Sequence, residues 1–287
     1  MNINITALVL AYNEEKRIVN VIKALSGFNV IVLDKSSTDD TASLAEQMGA
    51  KILRVPYYND TTPKEVRLQI KKYLIEEQAN EWIFSMTSSD IIHHGLLMEM
   101  KRAIELNQNE FDVIEIPLYR YSMGLAGKNT FFGGLDYKPL LWKRNAFPTD
   151  TTMIHESSFE NMPRYRMTPS DPRIAVYHLT HPNLDLVMDR TWRYAVQYIE
   201  DAGRRGRGRE RVMRYAVNEC IRTVFRYFRR RLWKSKETGK AQLMMLIMYN
   251  CMIFLNAFFS KEKEAEINEI YRGIIDECVS PDRDKIP

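Results

Sequence analysis

The 287 residues are 45% apolar and 27% charged, a globular composition that excludes disordered, collagenous and disulfide-framework classes; at about 150 residues per domain they make one large domain, or one with an appendage. Three scattered cysteines (Cys220, Cys251 and Cys278) with no C-x-x-C pair argue against a structural zinc site and for a reducing compartment. The net charge of +4 is unevenly spread: Arg204–Lys240 holds eleven Arg and three Lys against Glu210, Glu219 and Glu237, a local +11 that leaves −7 for the rest, and such a block marks an anionic partner or a solvated helix face.

In chain order, Met1–Ile5 has neither the basic start nor the cleavage site of a signal peptide, so a protein of the cytoplasmic side is expected. Ile5–Ala11 and Val30–Leu33 read as buried strands around a helix at Glu14–Leu25. A helix (Thr41–Met48), a strand (Lys51–Val55), a helix (Lys64–Gln78), a strand (Trp82–Met86), a helix (Leu96–Leu106) and a strand (Val113–Pro117) follow. Alternation of this kind predicts βαβ units and a mainly parallel sheet covered on both faces. Residues Arg120–Asp185 read as loop-rich, and from Leu186 onward the pattern is helical, interrupted by a flexible link at Arg204–Arg209.

In an open α/β sheet, ligands bind at the carboxyl ends of the strands. Polar residues cluster at three such places: Ala11-Tyr12-Asn13-Glu14-Glu15, Asp34-Lys35-Ser36-Ser37-Thr38-Asp39-Asp40-Thr41, and Thr87-Ser88-Ser89-Asp90. Helix capping accounts for Asn13, Asp39 or Ser89. It does not account for an aromatic at Tyr12 or a carboxylate ending a strand at Asp34.

Together Ala7-Leu-Val-Leu-Ala-Tyr-Asn-Glu-Glu and Ile31-Val-Leu-Asp-Lys-Ser-Ser-Thr-Asp-Asp-Thr resemble the opening of family 2 glycosyltransferases. Within that family the likeness is to bacterial lipopolysaccharide-core β-glucosyltransferases, over about residues 3–200. The resemblance implies a GT-A fold, an α/β architecture, in a catalytic domain at 1–184 followed by a helical region at 185–287. It implies a nucleotide-diphosphate sugar, a UDP-sugar above others, as donor. Tyr12, flanked by Ala11, Asn13 and Glu14, would stack on the base, Asp34 would accept from the base imide or ribose hydroxyls, and Arg67 matches the family's basic residue facing the diphosphate.

The family's D-A-D-E appears here as Thr87-Ser88-Ser89-Asp90, with hydroxyls at both positions that normally hold a divalent ion. A hard cation such as Mg²⁺ or Mn²⁺ wants charged oxygens. Three outcomes stay open: metal held weakly by Asp90, His178 and the diphosphate; cationic side chains in its place; or no activity. His155-Glu156 matches the family's x-H-E, and an inverting transfer needs a carboxylate to take the acceptor hydroxyl's proton, which makes Glu156 the candidate base. His178, in Val176-Tyr-His-Leu-Thr-His181, matches a late histidine that touches metal or diphosphate, and His93-His94 read as surface residues.

In the tail, Arg211, Arg214, Arg222, Arg226 and Arg229 fall within one helical arc of about 120°, beside Val217, Ile221, Val224, Phe228 and Leu232. This pattern suits an anionic membrane surface or a calmodulin-like groove. Ala241–Phe259 is apolar except for a stripe of Gln242, Asn250 and Asn256, which favours burial or an interfacial position over spanning. Aromatics interleave with the arginines, but no RNA- or DNA-binding motif accompanies them, so no nucleic-acid partner is expected. The expected function is glycosyl transfer to a cell-surface glycan or lipid-linked acceptor, peripheral on the inner face of the cell membrane. The alternative is a non-catalytic GT-A domain that binds nucleotide or glycan.

Overall fold

The computed structural model describes residues 3–56, 63–77, 79–107, 110–127, 129–131, 134–147, 159, 162–181 and 183–279. The chain divides into two compact units, one of residues 1–128 and 132–180, the other of residues 129–131 and 181–287.

The first unit is an α/β sheet. Its strands are β1 (Ile5–Ala11), β2 (Asn29–Asp34), β3 (Lys51–Arg54), β4 (Trp82–Thr87), β5 (Asp90–Ile92), β6 (Val113–Ser122), β7 (Gly134–Lys143), β8 (Arg164–Arg166) and β9 (Val176–Thr180). They run in the order β3-β2-β1-β4-β7-β6-β9-β5, with β8 also on β6. The β3-β2-β1-β4 half is parallel, whereas β4–β7, β7–β6 and β9–β5 are antiparallel. Side chains alternate across β1: Ala7 and Val9 face one core with α1 (Glu15–Ala24), α2 (Thr41–Gln47) and α4 (Leu96–Leu106), while Leu8 faces the other with α3 (Pro63–Glu76). Helices thus cover both faces of a mainly parallel sheet, the fold class the alternating pattern predicts.

The segment expected to be loop-rich carries more structure than its pattern shows. β6 continues to Ser122, and β7, β8 and β9 all fall within residues 120–185. β7 was obscured by Asp136, Lys138 and Pro139, which break the apolar alternation. Pro139 lies opposite Glu115, where the β6–β7 register shifts, a place in the ladder where an absent N–H is tolerated.

The second unit comprises α5 (Leu184–Arg204), α6 (Arg209–Arg229), α7 (Lys236–Phe258) and α8 (Lys261–Val279). Small side chains at Ala195, Ala202, Ala216 and Ala257 form its core with Val212 and Ile253, and Tyr198 stacks on Tyr215 at 5.2 Å. The expected flexible link is instead a hydrogen-bonded helix end: Arg207 N–H reaches the Ala202 carbonyl at 2.9 Å, and Gly206 supplies φ +64°. The polar stripe of α7 faces inward. Gln242 Oε1 accepts from Phe131 N–H at 3.1 Å, and buried Asn250 donates to the Leu246 carbonyl at 2.8 Å.

Gly239 marks a close backbone approach, since a Cβ there would lie 2.1 Å from the carbonyl oxygen of Leu232, a buried residue in the 3-10 turn before α7. Gly239→Ala should therefore destabilise the helical unit by about 1–3 kcal/mol, the usual cost of overpacking. Chemical unfolding followed by circular dichroism reads this directly; an unchanged midpoint would show that the turn gives way freely.

Candidate functional site

Strands β2, β1 and β4 are neighbours and end side by side. Lys35 N–H bonds to the Ala11 carbonyl at 3.0 Å and Ser88 N–H to the Leu10 carbonyl at 2.9 Å. Parallel register therefore brings Ala11–Glu14, Asp34 and Ser88–Asp90 to one edge of the sheet, as their places in the sequence predict.

The hydroxyl-rich stretch after β2 clasps the turn after β1. Asn13, at φ +52°, donates its N–H to Ser37 Oγ (3.0 Å) and accepts from Thr38 N–H (2.9 Å); Asn tolerates this left-handed conformation better than most residues. Glu14 N–H bonds to Thr41 Oγ1 at 2.7 Å and Glu15 N–H to Asp39 Oδ2 at 3.1 Å. These two amides open α1, so a carboxylate beside them meets orphan donors and the positive helix end. Burial pushes the Asp39 carboxyl up, but the Thr41 hydroxyl and the Glu15 and Thr41 amides outweigh it and hold it below the usual carboxylate range. Capping is thus carried across two loops rather than within one helix, and the second motif is largely a frame.

Asp34 is different. It is fully buried, its Oδ1 accepts from Ser37 N–H at 3.1 Å, and its Oδ2 has no hydrogen-bond partner. Arg54 at the end of β3 faces this oxygen, with Nε 3.9 Å away and a side chain 75% exposed. A buried, half-satisfied carboxylate costs stability unless something supplies a donor. Tyr12, half-buried, follows the neighbouring strand. Arg54 was missed in the sequence, although it ends a parallel strand just as Ala11, Asp34 and Thr87 do. Arg67 lies half-buried on α3, a helix tied to the end of β3 by a bond from Gln69 to the Arg54 carbonyl.

Glu14 is buried and gripped by Arg17, with Nε–Oε2 at 2.7 Å and Nη2–Oε1 at 2.5 Å. Its carboxylate braces α1. Glu156 and His155 lie outside the described residues. His93 accepts from Gly95 N–H at 3.1 Å and lies tilted against His94, with ring centroids 4.1 Å apart, just before α4.

The turn Thr87–Asp90 does not fit a divalent cation. Asp90 is buried, and both its oxygens are engaged: Oδ2 accepts from Thr87 N–H (2.7 Å) and Oγ1 (3.0 Å), and Oδ1 accepts from His178 Nδ1 at 2.6 Å. Ser88 and Ser89 are buried hydroxyls. Asp90 and His178, expected to share a metal, are neighbours across the β5–β9 pair and bond to each other. Among the described residues no group of three His, Cys, Asp or Glu side chains is placed to hold a metal. A hard cation would have to strip Asp90 of these bonds and would gain a single carboxylate. The contact commits Nδ1 of His178 to Asp90 and fixes the orientation of the ring.

No protein-family model matches the chain. It is similar to an uncharacterized glycosyltransferase of Rickettsia felis, 28% identical over 117 residues, 40% of this chain and 39% of the relative. It is also similar to the 4,4'-diaponeurosporenoate glycosyltransferase of Staphylococcus haemolyticus, 41% identical over 61 residues, 20% of this chain and 16% of that protein. The chain thus spans well under half the length of the curated relatives it matches. Among solved structures, S. aureus TarS residues 1–349 with UDP-GlcNAc align at TM-score 0.46 and 14% identity, over 68% of this chain and 66% of that one. Glucosyl-3-phosphoglycerate synthase from Mycobacterium tuberculosis, with Mn2+, UDP and glucosyl-3-phosphoglycerate, aligns at TM-score 0.38 and 16% identity, over 63% and 74%.

Proposed function

We propose that this chain is a glycosyltransferase of the hexosyl type that takes a sugar from a UDP-sugar and places it, with inversion, on a cell-surface glycan or lipid-linked acceptor at an anionic membrane surface. The observation that carries the donor site is the orphaned Oδ2 of buried Asp34. It sits where a parallel sheet presents ligands and takes the N–H of a base imide or a ribose hydroxyl. Tyr12 offers an aromatic face to the base, with Ala11 and Asn13 shaping the turn around it. Arg67, and Arg54 beside Asp34, supply positive charge against the diphosphate. The buried Ser88-Ser89-Asp90 turn closes the floor, and His178, oriented by Asp90, offers its free nitrogen to a donor hydroxyl. Glu156 takes the acceptor hydroxyl's proton as that oxygen bonds to the anomeric carbon; the bond from that carbon to the diphosphate breaks, and the nucleoside diphosphate leaves with the electron pair.

A second reading, binding of nucleotide or glycan without transfer, is favoured by the hydroxyls at Thr87 and Ser89 in place of carboxylates. Calorimetric titration with UDP-glucose and UDP-GlcNAc, with EDTA and with added Mn²⁺, tests both. Binding is expected to survive EDTA within about threefold, because Asp90 is already spoken for. Loss of binding on chelation would overturn the assignment of the diphosphate to side chains. Binding without donor hydrolysis or transfer would favour the second reading.

A further inference from the structure

Besides its small apolar core, the helical unit buries several polar side chains and leaves many apolar ones exposed. Thr191, Gln197, Thr223, Gln242 and Asn250 are buried in it. On α6 the inward face is Val212, Ala216, Thr223 and Tyr227, whereas four of the five apolar residues on the arc beside the arginines point outward and Leu232 is buried. Val217 is 48% exposed, Ile221 64%, Val224 39% and Phe228 59%, and Phe225, outside that set, is 65% exposed. At 100° per residue Val217, Ile221, Val224, Phe225 and Phe228 fall within an arc of about 100°. An exposed apolar ridge of this size marks an interaction surface.

Its charge pattern says which kind. Arg214 lies within the ridge's arc, and Arg211, Arg222 and Arg229 run along one border; Arg211, Arg214 and Arg229 are exposed. Arg222 and Arg226 converge on Glu219 and, against its burial, hold its carboxyl below the usual range. The core of a protein interface is depleted in charge, whereas a bilayer boundary accepts an arginine amid apolar side chains, its stem in the acyl region and its guanidinium at the phosphates. Trp233, exposed and 6.0 Å from Phe228, extends the ridge with a side chain favoured at such boundaries.

We propose that the outer ridge of α6 inserts into the acyl boundary of an anionic bilayer, with Arg211, Arg214 and Arg229 in the headgroup plane. This rests on the membrane reading above and goes further: it names the surface and makes attachment depend on apolar insertion as well as charge. α7 carries exposed Met244 and Leu255 beyond the ridge. It is long and apolar enough to cross a membrane by length and composition, yet its Gln242 and Asn250 are buried within the unit, which suits an interfacial position.

The test uses the full chain carrying Trp192→Phe. Trp82 and Trp142 are buried, so Trp233 is then the exposed indole. Phosphatidylglycerol–phosphatidylcholine vesicles with brominated acyl chains should quench and blue-shift Trp233, and 1 M salt, which shortens the Debye length to about 3 Å, should release only part of the bound protein. Combining Val217→Ser, Ile221→Ser and Phe225→Ser should weaken co-sedimentation more than about tenfold while UDP-sugar affinity, measured separately, is unchanged. Sedimentation without quenching would overturn insertion and leave attachment by charge. No sedimentation at low salt would overturn the membrane reading with it. A change of oligomeric state in the triple variant without vesicles would overturn the proposal in favour of a second copy on the ridge. Donor titration of the same proteins reports on the sugar site independently.

Discussion

Asp34→Asn should lower UDP-sugar affinity by roughly 10–150-fold, the about 1.5–3 kcal/mol of a hydrogen bond to a charged group, without lowering the stability of the ligand-free protein. Asparagine keeps an oxygen for the Ser37 N–H and removes a buried charge whose second oxygen has no donor. A residue retained for folding would behave in the opposite way. If Asp34 existed to hold Arg54, the Asn variant would melt earlier and bind donor normally. Calorimetry and thermal denaturation on one preparation separate the two, and normal affinity with a lowered melting temperature would remove the nucleotide from this edge of the sheet.

Glu156→Gln should bind donor as the parent does and lose about 10²–10⁴ in transfer rate, the contribution of a positioned general base. The amide preserves shape and hydrogen-bonding reach but cannot take the proton. Transfer should be measured at saturating donor, so that binding cancels. Transfer within a few-fold of the parent would assign proton removal to another group, and His178, held by Asp90, would be the next to replace.

Much of the first unit was legible because parallel strands buried on both faces are short apolar runs, and helices between them carry period-3.6 stripes. Those runs placed β1 to β4 within a residue or two, and with them the three polar clusters. The antiparallel half was legible only at Val113–Pro117, the first half of β6: β7 mixes Asp136, Lys138 and Pro139 into its ladder, and β5 and β8 are three residues each. Spacing grouped Val217, Ile221, Val224 and Phe228 beside the arginines on α6, but Leu232, placed on the same arc, lies past the helix end in a buried 3-10 turn, and the inward face proves to be a third arc of Val212, Ala216, Thr223 and Tyr227. Spacing likewise did not reveal that Asp90 spends its oxygens on Thr87 and His178. Residue types suggest a ligand set, and the β5–β9 pairing shows its two members bonded to each other.

Residues 129–131 lie between β6 and β7 in the chain yet belong to the helical unit. Phe131 bonds to Gln242 and to Arg230, and the Asn129 carbonyl accepts from Ser235 Oγ at 2.7 Å. The helical unit is therefore discontinuous in sequence, and its closure spans a separation of up to 111 residues. During synthesis this three-residue segment must wait for the end of α6 and the start of α7 to emerge before it finds these partners, whereas the sheet is complete once β9 has left the ribosome. A chain ended after Thr180 would strip buried Phe131 of its partners, and residues 181–287 made alone would leave Gln242 without the amide it accepts from. Neither half is a module that recombination can move intact: a cut between Thr180 and His181 severs one continuous domain boundary and also tears a piece out of the other unit.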